Sequence, residues 1–175
     1  NCYFLVPTGR GSRLADLSPE DHEQILAALV GHHTRYLGRM MVRAKCAPHF
    51  KRMAYEAGLG GIESGGCMAA TEYCRITPEG DVTPCPYMAL PVGNVRSRSF
   101  TEIWETAPEL LALRDPGRLK GRCGRCEFKE LCGGCRCRAY ARFNDYLEED
   151  PACSYEPSGK RFSMEDIFWS QEARA

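Results

Sequence analysis

The stretch from Cys123 to Cys137, CGRCEFKELCGGCRC, constrains this chain more than any other. It places five thiols in fifteen residues, two of them in a C-x-x-C and two in a C-G-G-C. That density is too high for ordinary core packing and indicates metal coordination. Cys67, Cys74 and Cys85 before it and Cys153 after it bring the segment from 67 to 153 to nine of the eleven cysteines. Nine thiols exceed one four-coordinate site, and two four-thiolate sites need about eight.

The cysteines are unevenly spread along the 175 residues. The first 66 residues hold only Cys2 and Cys46 and read as ordinary globular sequence, whereas the later part is rich in Cys, Gly and Arg. A boundary is expected near Ile62 to Gly66, dividing the chain into 1–61, 62–157 and a tail 158–175. The second part, with its thin core, is expected to depend on metal for folding. No apolar run reaches membrane-spanning length and no signal segment opens the chain, so the expected setting is cytoplasmic. Reducing conditions there disfavour a disulfide framework. With 23 basic and 23 acidic side chains, nothing in the overall charge suggests nucleic acid, and no membrane partner is expected.

Taken in order, Tyr3 to Val6 reads as a buried strand running into the glycine-rich loop Thr8-Gly9-Arg10-Gly11. Ser18-Pro19-Glu20-Asp21 opens a helix: a capping hydroxyl, proline at the first helical position and acids in the first turn. His22, Ile25, Leu26 and Leu29 share one face of it, and its end is expected near Gly31 or Gly38. Met40 to Ala44 is a second strand candidate, followed by Lys45-Cys46-Ala47-Pro48-His49 and a short helix to Ala57. Strand–helix repetition is the unit of an α/β layer whose chemistry lies at strand carboxyl ends. Two units cannot close a barrel, so this part reads as a piece of something larger.

Gly58 to Gly66 is a glycine-rich connection. Cys74 to Thr77 and Val82 to Cys85 then read as a hairpin across Pro78-Glu79-Gly80-Asp81, and Gly93-Asn94 as another turn. Ser99-Phe100-Thr101-Glu102 is a capping box opening a short helix, which Pro108 restarts through Leu113. Asp115-Pro116-Gly117 ends it. Ala139 to Phe143 can be helical, Asp150-Pro151-Ala152-Cys153 turns to deliver the last thiol, and Ser163 to Glu172 can form a terminal helix.

A C-x-x-C pair places two thiolates on one metal, and Gly133-Gly134 lets the backbone pass close to a bulky inorganic core. Residues 118–142 hold eight Arg or Lys against two acids. That excess would offset ionised thiolates and an anionic iron-sulfur cubane, although a solvated basic face gives the same pattern.

These residues together resemble the SPASM domain of radical S-adenosylmethionine enzymes. The carriers are Cys67 twelve residues before Gly80, Gly80 four before Cys85, the run Cys123-x2-Cys126-x5-Cys132-x2-Cys135, and Cys153. Gly93-Asn94-Val95, Ile103-Trp104 and Asp150-Pro151 are also similar to that domain. Val6-Pro7-Thr8-Gly9-Arg10-Gly11 and Lys45-Cys46-Ala47-Pro48-His49 resemble the end of the family's partial TIM-type barrel. The branch resembled contains alternative haem and haem d1 biosynthesis enzymes and peptide-modifying maturases.

The resemblance implies an α/β fold, C-terminal strand–helix units of a partial barrel followed by a small cysteine-rich domain holding two auxiliary 4Fe-4S clusters. By position it implies Cys67, Cys74, Cys85 and Cys135 for the first cluster and Cys123, Cys126, Cys132 and Cys153 for the second. Many members have three residues between the last two cysteines of the second motif. Here two separate Cys132 from Cys135 and four separate it from Cys137, so Cys135 is taken and Cys137 stands as a buried or substitute thiol. The C-x-x-x-C-x-x-C motif of the radical-generating cluster does not occur, which makes this chain a fragment expected to be inactive alone. S-adenosylmethionine and a third cluster belong to the intact enzyme. The implied substrate is a tetrapyrrole side chain or a ribosomal peptide, and the implied reductant a ferredoxin or flavodoxin.

Arg10 at a strand end could hold a carboxylate through its bidentate fork, or pair with Asp16 or Glu20. Cys46 and His49 lie where substrate or cofactor could be met, but a cysteine beside a strand is equally a packing residue. Tyr73, Tyr87 and Tyr140 are expected to pack around the clusters. Two other readings use the same thiols: a structural zinc scaffold, and a stand-alone iron-sulfur electron-transfer protein, against which the strand–helix units before Gly58 argue.

Overall fold

The computed structural model describes residues 1–14, 16–59 and 66–159. The expected terminal helix at 163–172 and most of the glycine-rich connection, with the expected domain boundary in it, lie outside them. The described residues form a mixed α/β structure of short elements, in which two small sheets are flanked by helices.

Strand β1 (Cys2–Tyr3) pairs in parallel with β2 (Ala44–Lys45), Cys2 opposite Ala44. Both are shorter than the sequence suggests. Phe4 and Val6 are buried as an inward run requires, but Met40 and Met41 are exposed and only the end of the second run reaches β1. Between them lies α1 (Pro19–Arg35), with Pro19 in its first turn and the Ser18 hydroxyl accepting from the Asp21 amide at 3.0 Å. Its inner face is His22, Leu26 and Val30, with Leu29 packed beside them, so that of the expected stripe only Ile25 points outward. Gly31 is accommodated within the helix. Helix α2 (His49–Glu56) packs on α1, and Phe4, Leu26 and Ala47 close a small core between sheet and helices.

The second sheet is β3 (Arg75–Ile76), β4 (Asp81–Thr83) and β5 (Gly93–Asn94), antiparallel in that order. The hairpin between β3 and β4 is the one expected. Gly93-Asn94, expected to be a turn, is instead the third strand: Val92 N–H donates to Val82 C=O at 2.8 Å and Val95 N–H to Gly80 C=O at 2.9 Å. Glycine is needed there because a Cβ at position 93 would meet Ile103 at 2.9–3.0 Å.

Ile103 belongs to α3 (Phe100–Thr106), whose first turn is capped by the Ser99 hydroxyl accepting from Glu102 N–H at 3.1 Å. Helix α4 (Pro108–Leu113) follows, restarted by Pro108 as expected. Ile103, Ala107 and Leu110 pack on Ala70 and Val82. Arg114 clamps this unit, donating to Ala70 C=O at 2.7 Å and Trp104 C=O at 2.8 Å while lying over the Trp104 ring. Two further helices frame the cysteine run. The first, α5 (Gly121–Arg125), is not evident from sequence; the second, α6 (Arg136–Phe143), begins three residues earlier than expected.

Helix α6 joins the two parts of the chain. Its Arg138 is 1% exposed and donates to Leu5 C=O at 3.0 Å, to Cys46 C=O at 2.9 Å and to the Asp150 carboxylate at 2.9 Å. Asp150, fully buried, also lies 3.2 Å from the His49 ring. Burial opposes charge on His49, but Asp150 outweighs it and pushes the imidazole pKa up to about 9 from 6.5. A group raised on folding contributes its stability below its unfolded pKa and loses it as pH climbs through the folded one. The urea midpoint of the wild-type protein should therefore fall between about pH 6.5 and about pH 9 by more than that of His49→Gln, whose pair has no such proton to lose. Parallel pH profiles for the two proteins would contradict this.

Two thiol-lined cavities

The thiols gather in two places on opposite sides of the segment 132–137. Cys123, Cys126, Cys132 and Cys153 line one cavity, a small space of about 20 Å³. This distal group is the second set of four that the family resemblance implies. Helix α5 supplies Cys123, the turn after it Cys126 and Cys132, and the Asp150–Cys153 turn the last thiol, with Cys153 N–H donating to Asp150 C=O at 3.2 Å. Arg122, Lys129, His49 and Arg52 complete the wall, and Arg52 lies against the Tyr155 ring at 4.4 Å.

The backbone passes this group as closely as glycine allows. Gly133 and Gly134 both have positive φ, +60° and +65°. A Cβ on Gly134 would come within 2.7 Å of Asp150 Cβ, 2.8 Å of the Arg136 guanidinium and 3.1 Å of Cys123 Sγ. That sulfur receives two donors at 3.5 Å, the Asp150 amide and Arg136 Nη2. Burial raises the pKa of Cys123 and Cys132, and that of Cys126 to about 11. Metal binding here would thus displace protons and favour higher pH.

Cys67, Cys85, Cys135, Cys137 and Cys46 line the second, proximal cavity, an open space of about 520 Å³. Thiol neighbours run in a chain: Cys67 on Cys135, Cys135 on Cys137, Cys137 on Cys85, and Cys85 on the Tyr73 hydroxyl at 3.3 Å. The contacts with Cys137 and Tyr73 bring Cys85 down to about 7, and those with Cys137 and Cys67 hold Cys135 well below the ordinary thiol range. Cys135 is the N-cap of α6 and Cys137 its second residue, which puts both thiols at one helix end. Cys46 approaches from the carboxyl end of β2 with φ of +59°, rare for a side-chain-bearing residue, and burial raises its thiol to about 11.

Cys74 is placed elsewhere. Tyr73 turns into the cavity, so the next residue along the extended chain turns away. Cys74 accordingly packs against the core of Ala70, Val82 and Ile103 and lines neither cavity. Its position in the proximal group is occupied by Cys137, which sequence reading set aside; its alternation with Cys135 at the start of a helix was the available signal. His49 faces the distal cavity but is held by Asp150. Arg10, in a 3-10 turn (Gly9–Arg13), is exposed, lines neither cavity and forms no ion pair with Asp16 or Glu20 among the described residues. Of the expected aromatic shield, Tyr73 and Tyr87 line the proximal cavity and Tyr140 packs behind it.

The basic run divides in two. Arg122, Lys129, Arg136 and Arg138 face the thiol groups or the carboxylate between them. Lys120 pairs with Asp145, Arg125 approaches Glu156, and Arg142 lies by the Phe143 ring, as a solvated face would. Among the described residues no three His, Cys, Asp or Glu side chains converge closely enough to hold one metal ion.

Two cavities lined by four and five cysteines, one beside a Gly-Gly backbone and cationic side chains, present the soft donors that iron-sulfur clusters use. Comparison with known proteins agrees: residues 67–136 match the SPASM family, an iron-sulfur cluster-binding domain. The chain is 43% identical over 170 residues to the AdoMet-dependent heme synthase of Methanosarcina barkeri, an alignment covering 90% of this chain and 48% of the relative. It is 36% identical over 110 residues to the PqqA peptide cyclase of Rhodopseudomonas palustris, 59% of this chain and 28% of that protein. To the pre-heme d1 synthase of Dinoroseobacter shibae it is 40% identical over 93 residues, 51% of this chain and 23% of the relative. Residues 67–136 are thus a SPASM-type iron-sulfur cluster-binding domain, and the chain around them is similar to part of these enzymes. It spans about half the length of the heme synthases it matches.

Gly134→Ala tests the cradle. Forcing a Cβ into a positive-φ position costs about 1–2 kcal/mol and overpacking about 1–3 more, so the variant should lose about 2–5 kcal/mol in denaturant unfolding. Gly31→Ala, with open space around its Cβ position, should lose nothing. Equal stabilities for the two variants would show that the backbone does not need this close approach.

Proposed function

We propose that this chain is the auxiliary-cluster part of a radical S-adenosylmethionine enzyme that modifies a tetrapyrrole side chain. The observation that carries the reading is the gathering of nine thiols around two cavities, four at one and five, Cys46 among them, at the other. Cys123, Cys126, Cys132 and Cys153 would hold one 4Fe-4S cluster, and Cys67, Cys85, Cys135 and Cys137 the other, with Cys137 taking the place that family resemblance gave to Cys74. Clusters so held supply one-electron chemistry, accepting or relaying an electron from substrate.

This chain's own residues would do the rest. Tyr73 and Tyr87 cover the proximal thiols, and Arg43, Lys45 and Lys51 on the cavity wall suit a substrate that carries carboxylates. The strand–helix units of residues 1–59 are read as the end of a partial TIM-type barrel, with the cluster domain beginning near residue 62 and folding with its metal. The radical-generating cluster, S-adenosylmethionine and a ferredoxin- or flavodoxin-type reductant complete the reading of the whole enzyme. A haem-type substrate is favoured over a peptide because over comparable spans of this chain, 90% and 86%, the heme synthase similarity is 43% identity and the peptide cyclase similarity 29%. No helix among the described residues is long and apolar enough to cross a membrane.

Iron, zinc and acid-labile sulfide measured on protein purified and reconstituted without oxygen decide between cluster and scaffold. About eight iron and eight sulfide per chain, with broad visible absorption, are expected. Cys137→Ala should lose about half of the iron and Cys74→Ala none. Zinc without sulfide in the wild type would leave a structural scaffold, and iron loss in Cys74→Ala with full loading of Cys137→Ala would restore the ligand set implied by resemblance.

A further inference from the structure

The geometry points to Asp150 as a positioning residue shared by both cluster sites, through which the two reduction potentials are set together. The inference rests on the iron-sulfur reading of the two thiol groups. One oxygen of the Asp150 carboxylate accepts from the backbone N–H of Cys135, a proximal thiol, at 2.6 Å. The backbone N–H of the same residue donates to the sulfur of Cys123, a distal thiol, at 3.5 Å. Arg136 also reaches both groups, its guanidinium donating to Cys123 Sγ at 3.5 Å and its backbone N–H to Cys67, but it is the Asp150 carboxylate that brings a negative charge between them.

The surroundings fix that carboxylate in place. Arg138 donates to both of its oxygens, at 2.9 and 3.2 Å, His49 lies at 3.2 Å, and Ala152 N–H donates to it at 3.0 Å. Gly134 leaves no room for movement from the remaining side, since even a Cβ there would lie 2.7 Å from Asp150 Cβ. A rigid, fully buried negative charge between two redox centres is felt by both, because little water separates it from either. Reduction adds an electron to each centre and is opposed by that charge. Packing alone would require neither the carboxylate's charge nor its position between the groups.

The test is a potentiometric titration of the reconstituted protein, each cluster followed by its own electron paramagnetic resonance signal. Asp150→Asn, compared in a His49→Gln background so that no imidazole proton leaves with the carboxylate, keeps the shape and an acceptor for Cys135 N–H but removes the charge. At a fixed ambient potential the reduced-to-oxidised ratio of both clusters should rise, each by at least about threefold. Asp150→Glu, which restores charge, should return both ratios toward wild type. Should Asp150→Asn fail to take up iron, His49→Gln keeps the carboxylate and both backbone bonds while removing its cationic neighbour, and both ratios should fall. A change in one cluster only, or in neither, in a fully loaded variant overturns the inference and leaves Asp150 a packing residue. Wild-type protein without iron and sulfide overturns the reading beneath it, and is recognised before any variant is made.

Discussion

A single buried carboxylate holds this structure together. Placing Asp150 at 0% exposure would be prohibitive for an isolated charge, since desolvating a carboxylate costs several kcal/mol even after relaxation. Here burial alone would raise its pKa, yet Arg138 and His49 hold it well below the usual carboxylate range. Two backbone amides satisfy what the cations leave. Arg138 spends its remaining donors on Leu5 and Cys46 carbonyls, and His49 opens α2, so the ion pair reaches into both strand–helix units. The contribution is one of specificity as much as of stability: no other arrangement of these segments pairs that charge.

The apolar packing around this hub is slight. The cores consist of two to six buried residues each, and cysteines that line the cavities are members of two of them. A domain whose core is partly thiol gains much of its order from whatever bonds to those thiols. The two cavities differ in size. The distal one, about 20 Å³ with Arg52 and Tyr155 in its wall, is too narrow for an organic substrate, which suits an electron store. The proximal one opens beside the carboxyl ends of β1 and β2, where Cys46 is held in a left-handed backbone conformation by its carbonyl bond to Arg138. Chemistry at strand ends of α/β layers is the usual placement of substrate sites.

Much of this was legible in the sequence, and the reasons differ by element. Ser18-Pro19 and Ser99 announce their helices because capping is a local property, carried by residues three apart. The hairpin of β3 and β4 is legible because its turn is. Gly93-Asn94 misleads, since the same pair that makes a turn also makes a strand where a neighbour, here Ile103, leaves no room for a side chain. The distal thiol set is the one the family resemblance implies by position, and its four cysteines line one cavity. The proximal set is not, because it combines residues far apart in sequence, and only the outward turn of Cys74 after Tyr73 separates it from Cys137. Asp150 gave no signal beyond a turn: its partners, His49 and Arg138, lie at distances no local pattern records.

The central claim is that two distinct inorganic centres sit on either side of one buried carboxylate. The most direct measurement is an anomalous difference map, recorded at the iron edge, from crystals of the protein loaded and grown without oxygen. Two separate iron peaks are predicted, one among Cys123, Cys126, Cys132 and Cys153 and one among Cys67, Cys85, Cys135 and Cys137, with Asp150 between them. A single peak, or peaks at the zinc edge instead, would contradict the account.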